Sequence, residues 1–211
     1  HHPATSIHTI AADLREAASG LAVLNNAQAH FGPVDVLVNS AGAAKRTPPE
    51  ELNPQVWHDA MQAKYFSYIH MIDPTIQRMG QRGAGVVVNV IGAGGKVASP
   101  IHMPGGAANA ALMLATAGLA SAYAAKGVRV NAVNPGATVT DRLKEGFAAD
   151  ARANGISEEE AMKRTTARIP LGRMAEPREI ADAVVFLASP RASYISGVSL
   201  TMDGVMTPTV F

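Results

Sequence analysis

The sequence predicts a single α/β domain built on a doubly wound parallel sheet. Its length of 211 residues fits one domain, and its 47% of hydrophobic residues are enough for a sizeable core. Short apolar segments alternate with segments of helical periodicity along the chain. This alternation is typical of β-α-β units, whose right-handed crossovers place helices on both faces of a parallel sheet. We therefore expect one domain over residues 1–211.

The first half of the chain is predicted to form two strands and two helices. The strands are residues 6–12 and 34–39, and the second is a continuous apolar run of the kind that parallel sheets bury on both faces. Apolar residues at helical spacing over 14–31 predict the first helix. Asn53, which is followed by a proline, is typical of a helix start. We expect this second helix to kink at Pro74, since proline cannot donate a backbone hydrogen bond.

The second half of the chain is predicted to form three further strands and several helices. The strands are the apolar runs over residues 85–91, 128–133 and 198–202. A capping box that begins at Ser157 and an amphipathic run over 177–189 indicate two of the helices.

A third helix is predicted within residues 97–125, which contain no Asp, Glu, Lys or Arg. Prolines and glycines interrupt the first part, so that 107–125 remains as a continuous apolar helix. A membrane-spanning helix needs about 20 mainly apolar residues, and this segment also carries polar side chains. We therefore expect no membrane span. We interpret the segment as a buried helix at a subunit interface that it shares with the helix containing Trp57, and we expect a homodimer or homotetramer.

The composition excludes several classes of function. With 18 Lys and Arg residues against 17 Asp and Glu, the net charge is +1, so nothing favours nucleic acid or an anionic membrane as a partner. The absence of cysteine excludes disulfides, thiolate catalysis and cysteine-ligated zinc. The sequence has no H-E-x-x-H motif, and we expect no metal site. No secretory signal is visible, so we expect a cytoplasmic protein.

Doubly wound sheets bind ligands beyond the carboxyl ends of their strands. Two turns at such positions, 39–42 and 134–136, contain glycine and small residues that let a backbone approach a ligand closely. The same composition fits tight strand-to-helix turns without a ligand, and the sequence leaves both interpretations open. The glycine-rich segment 92–95 before Lys96 departs from the patterns of phosphate-binding loops, and we interpret it as a mobile loop.

Six motifs follow one another in the order and at the spacing found in one enzyme family. They are Val36 to Gly42 (VLVNSAG), Val86 to Asn89 (VVVN), Val128 to Gly136 (VRVNAVNPG), Ile169 to Arg173 (IPLGR), Glu176 to Ala181 (EPREIA), and Tyr194 to Gly197 with Asp203-Gly204. Through these motifs the chain resembles the short-chain dehydrogenase/reductase family over about residues 7–206. The resemblance implies a Rossmann-like fold and an oxidoreductase that uses NAD or NADP on a small-molecule substrate.

The resemblance also implies which residues bind the cofactor and the substrate. Asp13 would lie beside the adenine. The adenosine side would be lined by Asn39, Ala41 and Gly42, and the nicotinamide side by Pro135, Gly136 and Thr140. Residues 141–168 would form the substrate lid.

The sequence departs from the family at its beginning. The family's first β-α-β unit, which carries the glycine-rich pyrophosphate turn, is missing from the chain. Such a unit needs about 30 residues, and residues 1–6 cannot supply it. The chain also begins His1-His2-Pro3 without a methionine, which we interpret as a tag remnant or a cut. We therefore expect an incomplete sequence, and weak binding or no binding of the dinucleotide by the chain as given.

A second departure concerns the catalytic residues. Family members use a Tyr as the acid, a Lys four residues later, a Ser before the Tyr and an Asn in the preceding helix. The aligned positions here hold Gly105, Asn109, Gly92 and Lys64, so that all four groups are replaced. Lys64 and Asn109 exchange the residue types of two family positions, so that a lysine could reach the site from the other helix. The alternative is a surface lysine and a polar residue in a buried helix.

Two functional hypotheses remain open from the sequence. In the first, the protein is an NAD(P)-linked oxidoreductase of unknown carbonyl or alcohol substrate with a degenerate catalytic site. His102 is then the main candidate for a substitute acid, and Lys64, Lys96 and Tyr65 are further candidates. In the second, it is a non-catalytic relative that acts as a nucleotide-binding scaffold, a sensor or an inactive subunit. The retained turn on the nicotinamide side favours the first, and the loss of four catalytic groups favours the second.

Overall fold

A computed structural model of the chain describes residues 6–42 and 45–208. The interpretation of residues 1–3 as a tag concerns residues outside these ranges. The strands are β1 (Val36–Asn39), β2 (Gly85–Val90), β3 (Val128–Pro135) and β4 (Ser199–Met202). The α-helices of the described ranges are α1 (Ala17–Phe31), α2 (Pro54–Ala60), α3 (Ser67–Arg82), α4 (Met103–Tyr123), α5 (Asp141–Asn154), α6 (Glu158–Ala167) and α7 (Pro177–Ala188). A π-helical turn, Met61–Phe66, joins α2 to α3.

The four strands form one parallel sheet in the order β1-β2-β3-β4. Apolar side chains of α3 and α4 pack on one face, around Ile72 and Leu112. Those of α7 pack on the other face, around Val184 and Leu187. The predicted doubly wound parallel sheet is therefore confirmed, since each of its faces is covered by helices.

The predicted strand over residues 6–12 is wrong. This segment is exposed and lies outside the sheet, and no strand of the described residues pairs with it. It runs beside α1 instead: the His8 ring stacks on that of His30 with a centroid distance of 4.3 Å, and His8 Nε2 lies 2.7 Å from Asn26 Oδ1. A segment of strand-forming residues becomes a strand only when its backbone pairs with a neighbouring strand.

Helix α3 continues through Pro74 and ends at Arg82. Proline has no N–H to offer the carbonyl of the residue four positions earlier, which here is His70. Gly20 of α1 packs directly on that carbonyl, so closely that a Cβ at position 20 would overlap it. The irregular part of the helix lies earlier, at the π-helical turn that contains Lys64.

The uncharged helix α4 has one buried face and one exposed face. Ala108, Leu112 and Thr116 are buried against the sheet, whereas Leu114 is 77% exposed. The helical segment Met103–Lys126 is long and apolar enough to cross a membrane by length and composition alone. Only 28% of the apolar window of this segment is buried, and a single helix of this kind is weak evidence for a membrane span, because core helices of soluble proteins pass the same test.

The outer edge of β1 is apolar and partly open to solvent. Within the described residues β1 pairs with β2 alone, and Val36 and Val38 are 41% and 44% exposed. The central strands of a parallel sheet are normally covered on both faces and paired on both sides. β1 therefore combines the sequence of a central strand with the position of an edge strand.

Candidate active site

The parallel sheet brings most of the predicted site residues to one edge. Ala41 and Gly42 follow β1, Gly92 follows β2, and Gly136 follows β3. Since the ladders pair Asn39 with Asn89 and run in the same direction, these turns leave the sheet side by side. This is the edge at which doubly wound sheets bind ligands.

Asn39 uses its side chain to hold the sheet together. It is buried, and its Nδ2 donates to Asn89 Oδ1 at 2.9 Å. Asn89 Nδ2 in turn donates to Thr116 Oγ1 of α4 at 3.0 Å. This buried chain of hydrogen bonds fixes β1, β2 and α4 relative to one another, so the Asn39 side chain faces the interior and leaves the crevice to Ala41 and Gly42.

Asp13 lies in the exposed turn before α1, bound to Arg15. Three hydrogen bonds from the guanidinium and one from the Arg15 backbone reach its carboxylate. These bonds lower the pKa of Asp13 to about 2. A carboxylate in this state accepts hydrogen bonds and donates none, which suits the predicted contact with an adenine amino group.

The nicotinamide-side residues are held by β4 and by the start of α5. Gly136 donates its N–H to the Met202 carbonyl at 2.9 Å, and a Cβ there would lie 2.9 Å from the Asp203 Cα. Glycine is therefore required at this position by packing. Thr140 is the N-cap of α5, because its Oγ1 accepts from Leu143 N at 3.3 Å. The predicted lid, residues 141–168, thus begins at a defined helix cap and forms α5 and α6.

Three of the replaced catalytic positions and His102 lie around the turn after β2. A Cβ added to Gly92 would lie 3.4 Å from Asn109 Nδ2, and one added to Gly94 would lie 3.1 Å from the His102 ring and 3.5 Å from the same Asn109 nitrogen. Gly105 is buried in the first turn of α4, one turn before Asn109. We call Gly92, Gly94, His102 and Asn109 the glycine corner.

The turn 92–95, interpreted above as a mobile loop, packs tightly on α4. A Cβ on Gly106 would lie 2.8 Å from the Gly94 carbonyl oxygen, and one on Gly95 would lie 2.8 Å from Ala110 N. Gly92 has φ +128°, which favours glycine over any other residue. A serine at position 92 would therefore be strained in the present backbone.

Lys64 is buried, so the interpretation of this residue as a surface lysine is wrong. It is 9% exposed, and its ammonium donates to the Val90 carbonyl at 3.0 Å, to Tyr68 Oη at 2.9 Å and to the Ala41 carbonyl at 3.4 Å. Tyr68 Oη donates to the same Val90 carbonyl at 2.6 Å. Burial raises the pKa of Tyr68, which makes this phenol a fixed donor in the interior and a poor source of catalytic protons.

Tyr68 was missed by the sequence argument, although a signal was present. Lys64 and Tyr68 are four residues apart, and side chains at this spacing lie on one face of a helix. No local pattern in the sequence predicts the π-helical turn that directs Lys64 towards the sheet edge.

An open depression lies beside α6, away from the glycine corner. It is lined by Val139, Met162, Thr166, Gly172, Arg173, Met174, Glu176 and Glu179. None of the four replaced catalytic positions lines it. In the described part of the chain, no group of three or more His, Asp or Glu side chains could hold a metal ion.

The sequence is similar to dehydrogenases along almost its whole length. It is 36% identical over 196 residues to cis-4-hydroxycyclohexanecarboxylate dehydrogenase of Sinomonas cyclohexanicum, covering 92% of this chain and 74% of that enzyme. It is 36% identical to D-threitol dehydrogenase of Mycolicibacterium smegmatis, covering 93% and 72%. A family model described as enoyl-(acyl carrier protein) reductase matches residues 2–207. The chain belongs to the short-chain dehydrogenase/reductase family.

A solved structure shows the same architecture. A gluconate 5-dehydrogenase from Burkholderia cenocepacia, in complex with NADP and tartrate, has a TM-score of 0.83 at 28% identity, covering 94% of this chain and 74% of that one. The chain is therefore a short-chain dehydrogenase/reductase with a Rossmann-like sheet. Relatives named for an alicyclic acid, a sugar alcohol and an acyl carrier substrate match to a similar degree, so membership of the family defines the reaction class and leaves the substrate open.

Proposed function

We propose that this short-chain dehydrogenase/reductase is an NAD(P)-linked oxidoreductase with a degenerate catalytic site, in which His102 replaces the missing acid. The observation that carries the proposal is the glycine corner. There, His102 and Asn109 converge on the turn where the family places its serine, next to the position where it places its tyrosine. Gly105 itself has no proton to donate.

The residues at the sheet edge fit a dinucleotide. Ala41 and Gly42 follow β1, Gly92 follows β2 and Gly136 follows β3, so small residues lie at the carboxyl ends of three successive strands of the sheet. We propose that Asp13, Ala41 and Gly42 hold the adenosine side and that Pro135, Gly136 and Thr140 border the nicotinamide. Residues 1–211 do not include the glycine-rich pyrophosphate turn of the family, so we expect this chain to bind the dinucleotide weakly or not at all.

When bound in its reduced form, the cofactor would supply a hydride to the carbonyl carbon of the substrate. The protein must then supply a proton to the carbonyl oxygen. We propose that the His102 imidazolium donates this proton and becomes neutral, which yields the alcohol. Histidine suits this role because a free imidazole changes its charge near neutral pH. Asn109 Nδ2 would donate a hydrogen bond to the same oxygen.

The test is hydride transfer to a panel of ketones by the unmodified protein and by His102→Ala. General acid catalysis contributes roughly 10²- to 10⁴-fold, so the variant should lose at least about a hundredfold in kcat if His102 is the acid. His70→Ala serves as a matched control, because His70 Nδ1 bonds to the Leu14 carbonyl beside α1. Substantial activity that survives His102→Ala would refute the histidine acid and leave Lys64 as the next residue to remove.

The second candidate function is non-catalytic: a nucleotide-binding scaffold, a sensor or an inactive subunit. It is favoured by the replacement of all four catalytic groups. Restoring the family pattern with Gly92→Ser, Gly105→Tyr and Asn109→Lys distinguishes the candidates. A non-catalytic relative should show no reduction before the change, and activity only after it.

We also propose that the protein is a homodimer or homotetramer that assembles through α2 and α4. Trp57 of α2, Phe66 of the π-helical turn and Leu114 of α4 are all exposed apolar side chains. The elements that carry them are adjacent in the fold. A cytoplasmic location, the absence of nucleic-acid and membrane partners, and an incomplete N-terminal unit stay predictions from the sequence.

A further inference from the structure

Lys64 connects the carboxyl ends of two neighbouring strands. Its ammonium donates to the Ala41 carbonyl beyond β1 and to the Val90 carbonyl at the end of β2. Tyr68 completes the arrangement: its Oη accepts from Lys64, and its ring lies 4.4 Å from the ammonium. We call these four residues the Lys64 clamp.

Gly42 leaves space for the Lys64 side chain, because it has no Cβ. A Cβ at this position would lie 2.8 Å from Lys64 Cδ and 3.2 Å from its Nζ. Gly42 also has φ +153°, at the edge of the region that favours glycine. The missing side chain therefore makes room for the lysine stem as well as for a ligand.

The π-helical turn explains how the lysine reaches this place. Within Met61–Phe66 the backbone is wound more loosely than in an α-helix, and such turns occur frequently at functional sites. The family's Asn at the aligned position has a shorter side chain and no charge. The lysine instead reaches the ligand-binding edge from a buried position and donates hydrogen bonds there.

We propose that Lys64 is a positioning residue: its clamp holds the Ala41–Gly42 turn against the end of β2 in the position that receives the dinucleotide. The inference rests on the proposed function, which places Ala41 and Gly42 on the adenosine side. It gives Lys64 a role distinct from proton donation. All three contacts described above go to protein acceptors, so the ammonium acts through the turn that it holds.

The experiment compares Lys64→Met, Lys64→Arg and the unmodified protein. Met keeps an unbranched stem beside Gly42 and removes the ammonium, whereas Arg keeps the charge and the donors. Tyr68→Phe is the matched control, since it removes the hydroxyl and leaves both carbonyl contacts of Lys64. Amide hydrogen exchange is measured without cofactor on peptides covering 36–42 and, as an internal reference, 198–202. NADH and NADPH are titrated up to millimolar concentration, and the KM for the cofactor and kcat are measured separately.

For Lys64→Met, exchange in 36–42 should rise about tenfold, because a hydrogen bond to a charged group is lost on each carbonyl. Exchange in 198–202 should stay unchanged. The Kd and KM for the cofactor should rise by a similar factor with little change in kcat. Lys64→Arg should recover most of the loss, and Tyr68→Phe should have a smaller effect.

Exchange within twofold of the unmodified protein would overturn the inference, and so would an unchanged cofactor Kd in a protein that binds. An absence of hydride transfer to the ketone panel would count against the proposed function, and the exchange data would still show whether Lys64 holds the Ala41–Gly42 turn. If Lys64→Met does not fold, Lys64→Gln replaces it: this variant removes the charge and keeps one donor group, so its exchange in 36–42 should rise by a smaller factor that still exceeds twofold.

Discussion

The Glu179 carboxylate is held at three points. Arg173 donates from two guanidinium nitrogens, each at 2.7 Å, and the Glu176 backbone N–H donates at 2.8 Å. The hydrogen bonds from Arg173, together with that from the Glu176 backbone, lower the pKa of Glu179 from 4.5 to about 2. Because the folded pKa lies below the unfolded one, the resulting stability is complete above pH 4.5 and is lost as the pH falls towards 2.

We predict that Arg173→Gln raises the pKa of Glu179 towards its ordinary value. The variant should be less stable than the unmodified protein near pH 6, and the difference should shrink as the pH approaches 2. NMR titration of the carboxyl group and urea unfolding at both pH values measure these effects. Arg178→Gln, which removes an equal charge from the residue next to Glu179 in α7, is the control. An unchanged Glu179 pKa in Arg173→Gln would contradict the assignment of its cause.

For individual residues, the sequence predicts where a residue lies in the fold better than it predicts what its side chain does. Gly42, Gly92 and Gly136 could be predicted to lie at the binding edge, because residues after parallel strands share one edge. The burial of Lys64 could not be predicted, since it depends on a π-helical turn that no local sequence pattern indicates. Asn39 was placed correctly, but its side chain is drawn inward by the amide of Asn89 on the next strand.

The contact between α1 and α3 depends on a single glycine. We predict that Gly20→Ala lowers the free energy of unfolding by about 1–3 kcal/mol, because the new methyl group would overlap the His70 carbonyl and force the helices apart. Gly118→Ala is the matched control: nothing lies within 4 Å of a Cβ there, so it should be neutral or stabilise by up to about 1 kcal/mol. Urea unfolding measures both. Equal effects of the two substitutions would show that helix propensity, and not the close contact with His70, determines the change in the free energy of unfolding.

Among the elements, the strands that lie between other strands were the most predictable. Residues 85–91 and 128–133 are continuous apolar runs, and they correspond to β2 and β3. Residues 6–12 also contain apolar and β-branched side chains, yet they form no strand, because strand formation depends on a partner far away in the sequence. At Pro74, where a kink is predicted, α3 continues to Arg82, and the His70 carbonyl that the proline leaves without its helical donor lies against Gly20 of α1.

For the whole molecule, the exposed apolar residues of α2 and α4 lead to a prediction about assembly. Leu114→Glu should raise the dissociation constant of the oligomer by about a hundredfold, since an uncompensated charge in a desolvated interface costs on the order of 3 kcal/mol. Light scattering and sedimentation velocity measure the change. Leu171→Glu is the control, because Leu171 is also exposed but lies outside both helices. A monomeric unmodified protein at micromolar concentration would rule out the interface.

The apolar outer edge of β1 affects how the purified chain should behave at high concentration. Strand edges with free N–H and C=O groups and no charged side chain are templates for the strands of other molecules. Val36 and Val38 lie on such an edge, and β1 contributes no lysine or proline that would block pairing. In the 211-residue chain, self-association along this edge would be an aggregation route separate from any assembly through α2 and α4.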